Sequence, residues 1–331
     1  MTRPLAGLVR QAWQNDSAWL VPLRPLSTLI ARVARGRLQR FRYRAPVPPV
    51  PVLVVGNITV GGTGKTPLVI ALCRALRGRG FRVAVISRGY GARPPARPWP
   101  VHADGDPARC GDEPVVIARE AGVPVTIDAD RGRALSWTLE RDAPDLVISD
   151  DGLQHYGLPR TAELAVVNAQ APAGNGRCLP AGPLREPERR LDEVDWVVTR
   201  GESPRRPDAW SVTLEPGDPR HWVTGEALSP AVFRERHPCV HAVAGIGHPE
   251  QFFRGLREQG LDVIEHPRPD HHVYRPGELD FGDDRPVVMT AKDAVKCRTG
   301  NRHRIWVWPA ELRLPDTLLD SIVHRLKGAT S

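Results

Sequence analysis

Between Asn57 and Thr66 the chain reads Asn-Ile-Thr-Val-Gly-Gly-Thr-Gly-Lys-Thr, residue types that in this order can cradle a phosphate. Gly61, Gly62 and Gly64 let backbone N–H groups approach an anion closely, with Thr59, Val60 and Thr63 completing the turn. Lys65 can reach the outer phosphates, and the Thr66 hydroxyl can ligate Mg²⁺. The strict motif has glycine at position 59, where this chain has Thr59, so the loop is a variant P-loop. Two adjacent acids, Asp150 and Asp151, close a hydrophobic run further on. A P-loop protein holds its Mg²⁺ with an acid so placed, and Asp150 or Asp151 meets that need. Three other clusters speak less clearly. Asp112, in Gly111-Asp112-Glu113-Pro114, suits a helix cap as well as a base. Asp270-His271-His272 sets a carboxylate beside imidazoles, as a base requires, yet reads equally as a surface loop. Arg185-Glu186 fits a clamp or an ordinary loop ion pair.

A phosphate loop needs a strand before it and a helix after it. The apolar run Val52 to Val55 stops at Gly56, and a helical pattern opens at Pro67 with Leu68, Ile70, Ala71, Leu72, Ala75 and Leu76. The first N–H groups of such a helix have no intrahelical partner, and its dipole favours an anion there. Further strands are expected at 82–86, 124–127, 145–149, 164–167 and 194–198, with helices at 115–120 and after Asp130-Arg131. Alternating strands and helices imply an α/β fold: a parallel sheet covered by helices on both faces, with ligands at the strands' C-terminal ends. From about residue 206 the texture changes. Short β-like runs at 210–214 and 221–224 precede a second βα unit, with a strand at 240–244 and a helix at 251–259. Strands at 287–290 and 305–308 follow, then a last helix at 316–326. The expected division is a basic amphipathic segment at 1–45, a P-loop core at 46–205 and a smaller α/β domain at 206–331 that completes the active-site cleft.

The formal charge of +8 is unevenly placed. Residues 1–44 hold nine arginines, no lysine and one acid, Asp16, so the rest of the chain is formally neutral. Leu5, Leu8, Val9 and Ala12 follow helical spacing, with Trp13 and Trp19 nearby. After Pro22 and Pro25, a second stripe runs Leu26, Leu29, Ile30, Val33. Arg-rich amphipathic helices with Trp at the apolar edge suit an anionic membrane surface. A helix packed on the protein's own core, a transit peptide and a nucleic-acid contact are the competing readings. The five scattered cysteines lack C-x-x-C spacing, which argues for a reducing compartment and against a zinc site. No apolar run approaches the roughly 20 residues that span a bilayer, and no signal-peptide core opens the chain.

Taken together, ITVGGTGKTP (58–67), SRGYG (87–91), GDEP (111–114), DDGLQH (150–155), PAGPLREP (180–187) and DHHVY (270–274) resemble the tetraacyldisaccharide 4′-kinase family. The resemblance runs from the N-terminal helix to Gly245-Ile246-Gly247-His248-Pro249 and Thr290–Lys296, and that family shows the same variant P-loop. It implies transfer of the γ-phosphate of ATP, with Mg²⁺, to the 4′-hydroxyl of an acylated glucosamine disaccharide 1-phosphate. It further implies a peripheral enzyme on the cytoplasmic face of a Gram-negative inner membrane, with neither a nucleic-acid nor a protein partner. Carried over by motif, Lys65 and Thr66 serve phosphate and Mg²⁺, Asp150 and Asp151 the metal site, and Asp112 the general base, assisted by His271 or His272. Arg88, Tyr90, Arg131, His155, Arg185 and Glu186 become groups around nucleotide or substrate.

Two other P-loop classes fit less well. A MinD/ParA-type switch carries a signature lysine where this chain has Val60, and a metal-insertion GTPase needs Asn-Lys-x-Asp, which Thr290-Ala291-Lys292-Asp293 only loosely resembles. A non-enzymatic adaptor leaves the intact Lys65 and Thr66 without a purpose.

Overall fold

The computed structural model describes residues 3–44, 46–61, 64–170, 173–270, 272–297 and 302–328. In chain order the first elements are α1 (Arg3–Gln14), α2 (Arg24–Arg44), β1 (Val52–Gly56), α3 (Lys65–Gly78), β2 (Val83–Ser87), β3 (Trp99–Val101), α4 (Pro107–Cys110), α5 (Asp112–Ala121), β4 (Val125–Ile127), α6 (Arg131–Asp142), β5 (Leu146–Asp150), β6 (Ala162–Val167), β7 (Trp196–Arg200) and β8 (Trp210–Pro216). The remainder are β9 (Arg220–His221), α7 (Pro230–Arg236), β10 (Cys239–Ala244), α8 (Pro249–Glu258), β11 (Asp262–Pro267), β12 (Val287–Met289), α9 (Ala291–Ala294), β13 (Ile305–Val307), β14 (Ala310–Arg313) and α10 (Asp316–Lys327).

The chain folds into two compact units, one of residues 1–88, 128–213 and 314–331, the other of residues 89–127 and 214–313. In the first, the strands run β8-β7-β6-β1-β5-β2 and each pair is parallel. Every residue of β1, β2, β5 and β6 is buried, which is why these segments read as continuous apolar runs rather than alternating ones. From β1 the chain crosses to β2 through α3, and from β5 it returns past β1 to β6. The strand order thus reverses beside β1, where a doubly wound sheet opens a crevice at its C-terminal edge. Val55 lies opposite Asp150 in the β1–β5 register, so the P-loop and the acid pair leave the sheet at the same end. α3 covers the sheet with Leu68, Val69, Leu72, Cys73 and Leu76. Each such side chain contributes roughly 1.5–3 kcal/mol by leaving water.

In the second unit the order is β11-β10-β12-β13-β9, parallel except for the edge strand β9. Phe233 packs edge-on against Trp306 and Trp308 at 5.0 and 5.3 Å, joining α7 to the sheet. Asp293, wholly buried, is satisfied by the Gly245 amide at 2.9 Å, Tyr274 at 3.0 Å, Thr290 at 2.7 Å and Lys296 at 2.9 Å. That set fixes α9 against the β10 exit.

The grouping differs from the sequence boundaries in two places. Residues 89–127 join the second unit: α5 buries Val115, Val116, Ile117 and Ala118 on successive faces and needs cover all round. α10 belongs to the first unit. Its stripe of Leu318, Leu319, Ile322 and Leu326 is buried, Asp320 meets Arg79 at 2.6 Å, and the Ser321 hydroxyl accepts from the Trp196 indole at 3.0 Å.

The N-terminal segment is helical as expected, with a 3-10 turn at Ala18–Leu23 between α1 and α2. Pro22 lies in that turn and Pro25 in the first turn of α2, where a missing N–H costs nothing. Ala12, Leu20, Ser27 and Leu38 are buried, whereas Leu8, Trp19, Val21, Leu26, Leu29 and Val33 are exposed. Leu5 carries no described side chain. Among the described residues, no helix is long and apolar enough to cross a membrane.

Candidate active site

β1 delivers the P-loop. Beyond Gly56 the chain keeps Asn57 and Ile58 buried, Thr59 bridges to Leu184, and the Val60 amide donates to the Pro183 carbonyl at 2.8 Å. The Arg185 amide donates back to Ile58 at 2.6 Å. The 183–185 segment therefore braces the first half of the loop, and the Val60 amide is occupied by protein rather than aimed at a ligand. Gly64 caps α3 in the left-handed region (φ +83°), a conformation that glycine adopts without strain. Gly62 and Thr63 lie outside the described residues. Thr66 is the second residue of α3, in the turn whose orphan N–H groups and dipole favour anions.

Lys65 reaches back across the loop. Its ammonium donates to Asn57 Oδ1 at 3.2 Å and pairs with Asp151 Oδ1 at 3.4 Å. Arg185 approaches the same carboxylate, with Nη1 at 3.2 Å from both oxygens, and donates to Gln154 Oε1 at 3.4 Å. Burial pushes the Asp151 carboxyl up, but Lys65 and Arg185 outweigh it and hold the pKa below the ordinary range. Asp151 itself has φ +49°, an uncommon conformation for a residue with a side chain, and Gly152 follows because a Cβ there would fall 2.5 Å from Ser149 Oγ.

Asp150 ends β5, almost wholly buried, and accepts from Ser87 Oγ at 3.2 Å. Arg131 opens α6 from beneath, donating to the Asp128 carbonyl at 2.7 Å and the Asp150 carbonyl at 3.4 Å. Burial lowers its guanidinium to about 10 against the pull of Asp150 and Asp151, so it stays charged at neutral pH. Arg88 is exposed at the end of β2, close enough to oppose the charging of both Arg131 and His155. Glu186 is buried and accepts from Gln154 Nε2 at 2.9 Å. The motif arginines and acids thus converge in the first unit on one edge of the sheet.

His155 is held below its usual range by burial first, then by Arg131 and Arg160. The folded chain refuses a proton that the unfolded chain accepts near the ordinary imidazole value of about 6.5. The unfolded state therefore binds more protons there, and stability is lost as pH falls through that region. In His155→Gln, the denaturant midpoint should depend less steeply on pH between about 5 and 7. An unchanged slope would show that other groups carry the acid sensitivity.

The remaining motif residues lie in the second unit. Asp112 is the first residue of α5, after Gly111 with φ +84°. Lys292 of α9 pairs with Asp270 at 3.2 Å and approaches Glu113 at 3.8 Å, so one ammonium joins the GDEP and DHH segments. His272 Nε2 meets Glu278 at 2.7 Å, its ring edge-on to Tyr274, while His271 lies outside the described residues. Tyr90 is 81% exposed. Sequence reasoning missed Asn57, Ser87, Gln154 and Lys292. Each stands inside a motif or beside one; the partners of Ser87, Gln154 and Lys292 are distant in the chain, Asn57 meets Lys65 across the loop, and no spacing rule points to any of them.

Among the described residues no group of three or more His, Cys, Asp or Glu could hold a metal unaided. That suits Mg²⁺, which keeps several waters and takes one or two carboxylates together with substrate phosphates. Thr66, Asp150 and Asp151 supply hard oxygen donors of the right kind, with the Asp151 carboxylate kept ionised.

A parallel sheet with a glycine turn, its lysine and an acid pair at the switch point defines a P-loop nucleotide-binding α/β protein. The family description "Tetraacyldisaccharide-1-P 4'-kinase" matches residues 17–327, and the chain belongs to that family. A tetraacyldisaccharide 4′-kinase of Alcanivorax borkumensis is 53% identical over 324 residues, covering 98% of each chain. One of Pseudomonas aeruginosa is 49% identical over 296 residues, covering 87% of each. Among solved structures, the "apo" form of LpxK from Aquifex aeolicus in complex with ATP superposes with a TM-score of 0.75. It is 26% identical and covers 93% of this chain and 99% of its own.

Proposed function

We propose that this protein transfers the γ-phosphate of ATP to the 4′-hydroxyl of a tetraacyldisaccharide 1-phosphate in lipid A biosynthesis. The observation that carries the reading is the Lys65–Asp151–Arg185 cluster at the mouth of the P-loop, in a chain of this family. The sugar oxygen attacks the γ-phosphorus, the bond to the ADP oxygen breaks, and the hydroxyl proton passes to a base. Asp112 is assigned that role, with His271 or His272 assisting. Lys65 and Arg185 meet the charge that develops on the phosphoryl oxygens, and alignment supplies most of the rate. Mg²⁺, held by Thr66 with Asp150 and Asp151, would neutralise phosphate charge and orient the leaving group. Arg88, Tyr90 and His155 are placed around nucleotide or substrate, with the buried Arg131 and Glu186 behind them. Labelled bisphosphorylated lipid formed from γ-labelled ATP, Mg²⁺ and tetraacyldisaccharide 1-phosphate in micelles tests the reading. A folded, ATP-binding protein that labels no lipid would overturn it.

The acceptor's acyl chains keep it in a bilayer, so the enzyme must work at a surface, and residues 1–44 are read as its means of reaching the cytoplasmic face of the inner membrane. Leu26, Leu29 and Val33 stand exposed at helical spacing on α2, next to the exposed Arg32 and Arg35. Changing all three to serine should weaken binding to anionic vesicles by about tenfold or more, since each apolar side chain contributes roughly a kcal/mol on insertion. Equal binding, measured by co-sedimentation, would leave these helices a packing role only.

A further inference from the structure

A buried polar network runs behind the catalytic cluster. Tyr156 donates its hydroxyl to Glu186 Oε1, and Glu186 Oε2 accepts from Gln154 Nε2 at 2.9 Å. Gln154 also donates to the Asn57 carbonyl at 3.0 Å, and its own carbonyl accepts from Arg185. The carboxylate at the centre is nearly inaccessible: Glu186 is 2% exposed. Arg190, equally buried and also beside Tyr156, holds Nε 4.0 Å from that same Oε2, and that Nε has no hydrogen-bond partner. Arg190 is instead tied to Glu163 through Nη2, where Arg160 also binds.

The same tyrosine faces the N-terminal helices. Phe41 of α2 packs on its ring at 5.8 Å, and the Arg160 guanidinium lies 4.6 Å from the Phe41 centroid and 5.6 Å from that of Tyr156. Elsewhere these helices grip the segment that carries Arg185 and Glu186. The Trp13 indole donates to the Pro180 carbonyl at 3.0 Å, the Ser27 hydroxyl donates to the Cys178 carbonyl at 2.6 Å, and Asp16 pairs with Arg177 at 3.4 Å.

We propose that Tyr156 is a positioning residue for phosphate transfer, acting through Glu186 and Gln154 on Arg185 and the P-loop, with its ring seated by α2. Without the hydroxyl, a buried carboxylate loses an acceptor site's partner and has a competing donor in Arg190 Nε. Glu186 then turns toward Arg190, Gln154 loses its anchor, and Arg185 no longer meets Asp151 in one fixed geometry. The N-terminal helices, which would otherwise be an anchor alone, thereby become part of the framework of the catalytic loops. Burial and Glu186 push the Tyr156 phenol up, so it remains a donor at every working pH.

The inference rests on the kinase reading, and one assay separates the two. With full-length protein in lipid micelles, Tyr156→Phe should lower kcat by about tenfold and leave KM for ATP within about twofold, since it displaces groups that align rather than bind. In a Glu186→Gln background the same change should add less than about a further twofold, because the tyrosine acts through that carboxylate. Phe41→Leu, which keeps the hydroxyl bond and loosens the seat, should lower kcat by about threefold at unchanged KM for ATP. A Tyr156→Phe enzyme with wild-type kcat, falls that multiply in the double variant, or an unaffected Phe41→Leu enzyme would overturn the proposal. No transfer by the wild-type chain would instead overturn the kinase reading.

Discussion

Replacement of Lys65 by alanine is expected to reduce phosphate transfer by at least about a thousandfold in a protein that still folds, the scale seen when a preorganised charge stabiliser is removed. The ammonium sits between Asn57 Oδ1 and Asp151, its side chain only 13% exposed, so it is aimed before any nucleotide arrives. It therefore costs no reorganisation when charge builds on the transferring group. The substitution also acts on Asp151, the carboxylate proposed to face Mg²⁺. Lys65 is the first of the two cations that hold the Asp151 carboxyl low, and without it the pKa rises toward the value that burial favours. In the wild type the depressed carboxyl contributes stability that is present above its unfolded pKa and lost as pH falls through the folded one. In Lys65→Ala part of that contribution disappears, so the acid limb of the stability profile should be shallower. Lys65→Arg should not restore turnover, because a planar fork cannot replace a compact charge at the same distance. Single-turnover transfer from γ-labelled ATP reads the effect, and a rate near wild type would remove Lys65 from the chemistry.

What could be read from the sequence and what could not divide along contact range. Val52 to Leu76 was legible because strand, turn and helix follow one another without interruption, each with its own signal. The acid pair was legible as the end of a buried strand, and its register opposite Val55 puts it where the motif requires. The brace of Pro183, Leu184 and Arg185 on Ile58, Thr59 and Val60 was not. It joins segments more than a hundred residues apart through backbone atoms, which carry no side-chain signature. Gln154 shows the same limit: it stands in a motif, but its role depends on Glu186 and Arg185 arriving from elsewhere. The helix at 316–326 was read correctly as a helix and placed with the wrong neighbours, since an amphipathic stripe says that a face is buried but not against what. The N-terminal helices are partly packed and partly uncovered, and the apolar spacing in the sequence could not say which residues would be which. Leu20 and Leu38 are buried in the protein, while Leu26, Leu29 and Val33 are left uncovered.

Asp112→Asn should lower kcat by roughly 10²–10⁴-fold, the usual worth of a positioned general base, and leave the apparent KM for ATP within about twofold. A sugar hydroxyl is almost wholly protonated at neutral pH, so a carboxylate that accepts its proton acts only as the oxygen–phosphorus bond forms. The substitution preserves shape and the start of α5, where Gly111 with φ +84° and Pro114 already fix the backbone. The cap of α5 is Gly111, not Asp112 as the motif also allowed, and loss of a first-turn carboxylate alone would cost about 0.3–1 kcal/mol of stability and no activity in the folded protein. The two roles thus separate cleanly. A base gives a collapsed kcat at unchanged unfolding midpoint, and a charge that serves only the helix dipole gives the reverse. Lys292 sharpens the test. Its ammonium spans Glu113 and Asp270, so Lys292→Ala should loosen both segments without removing either carboxylate. If Asp112 is the base, Lys292→Ala costs far less than Asp112→Asn. If Asp112 serves only the dipole of α5, kcat barely moves in Asp112→Asn, and the proton must leave by another group.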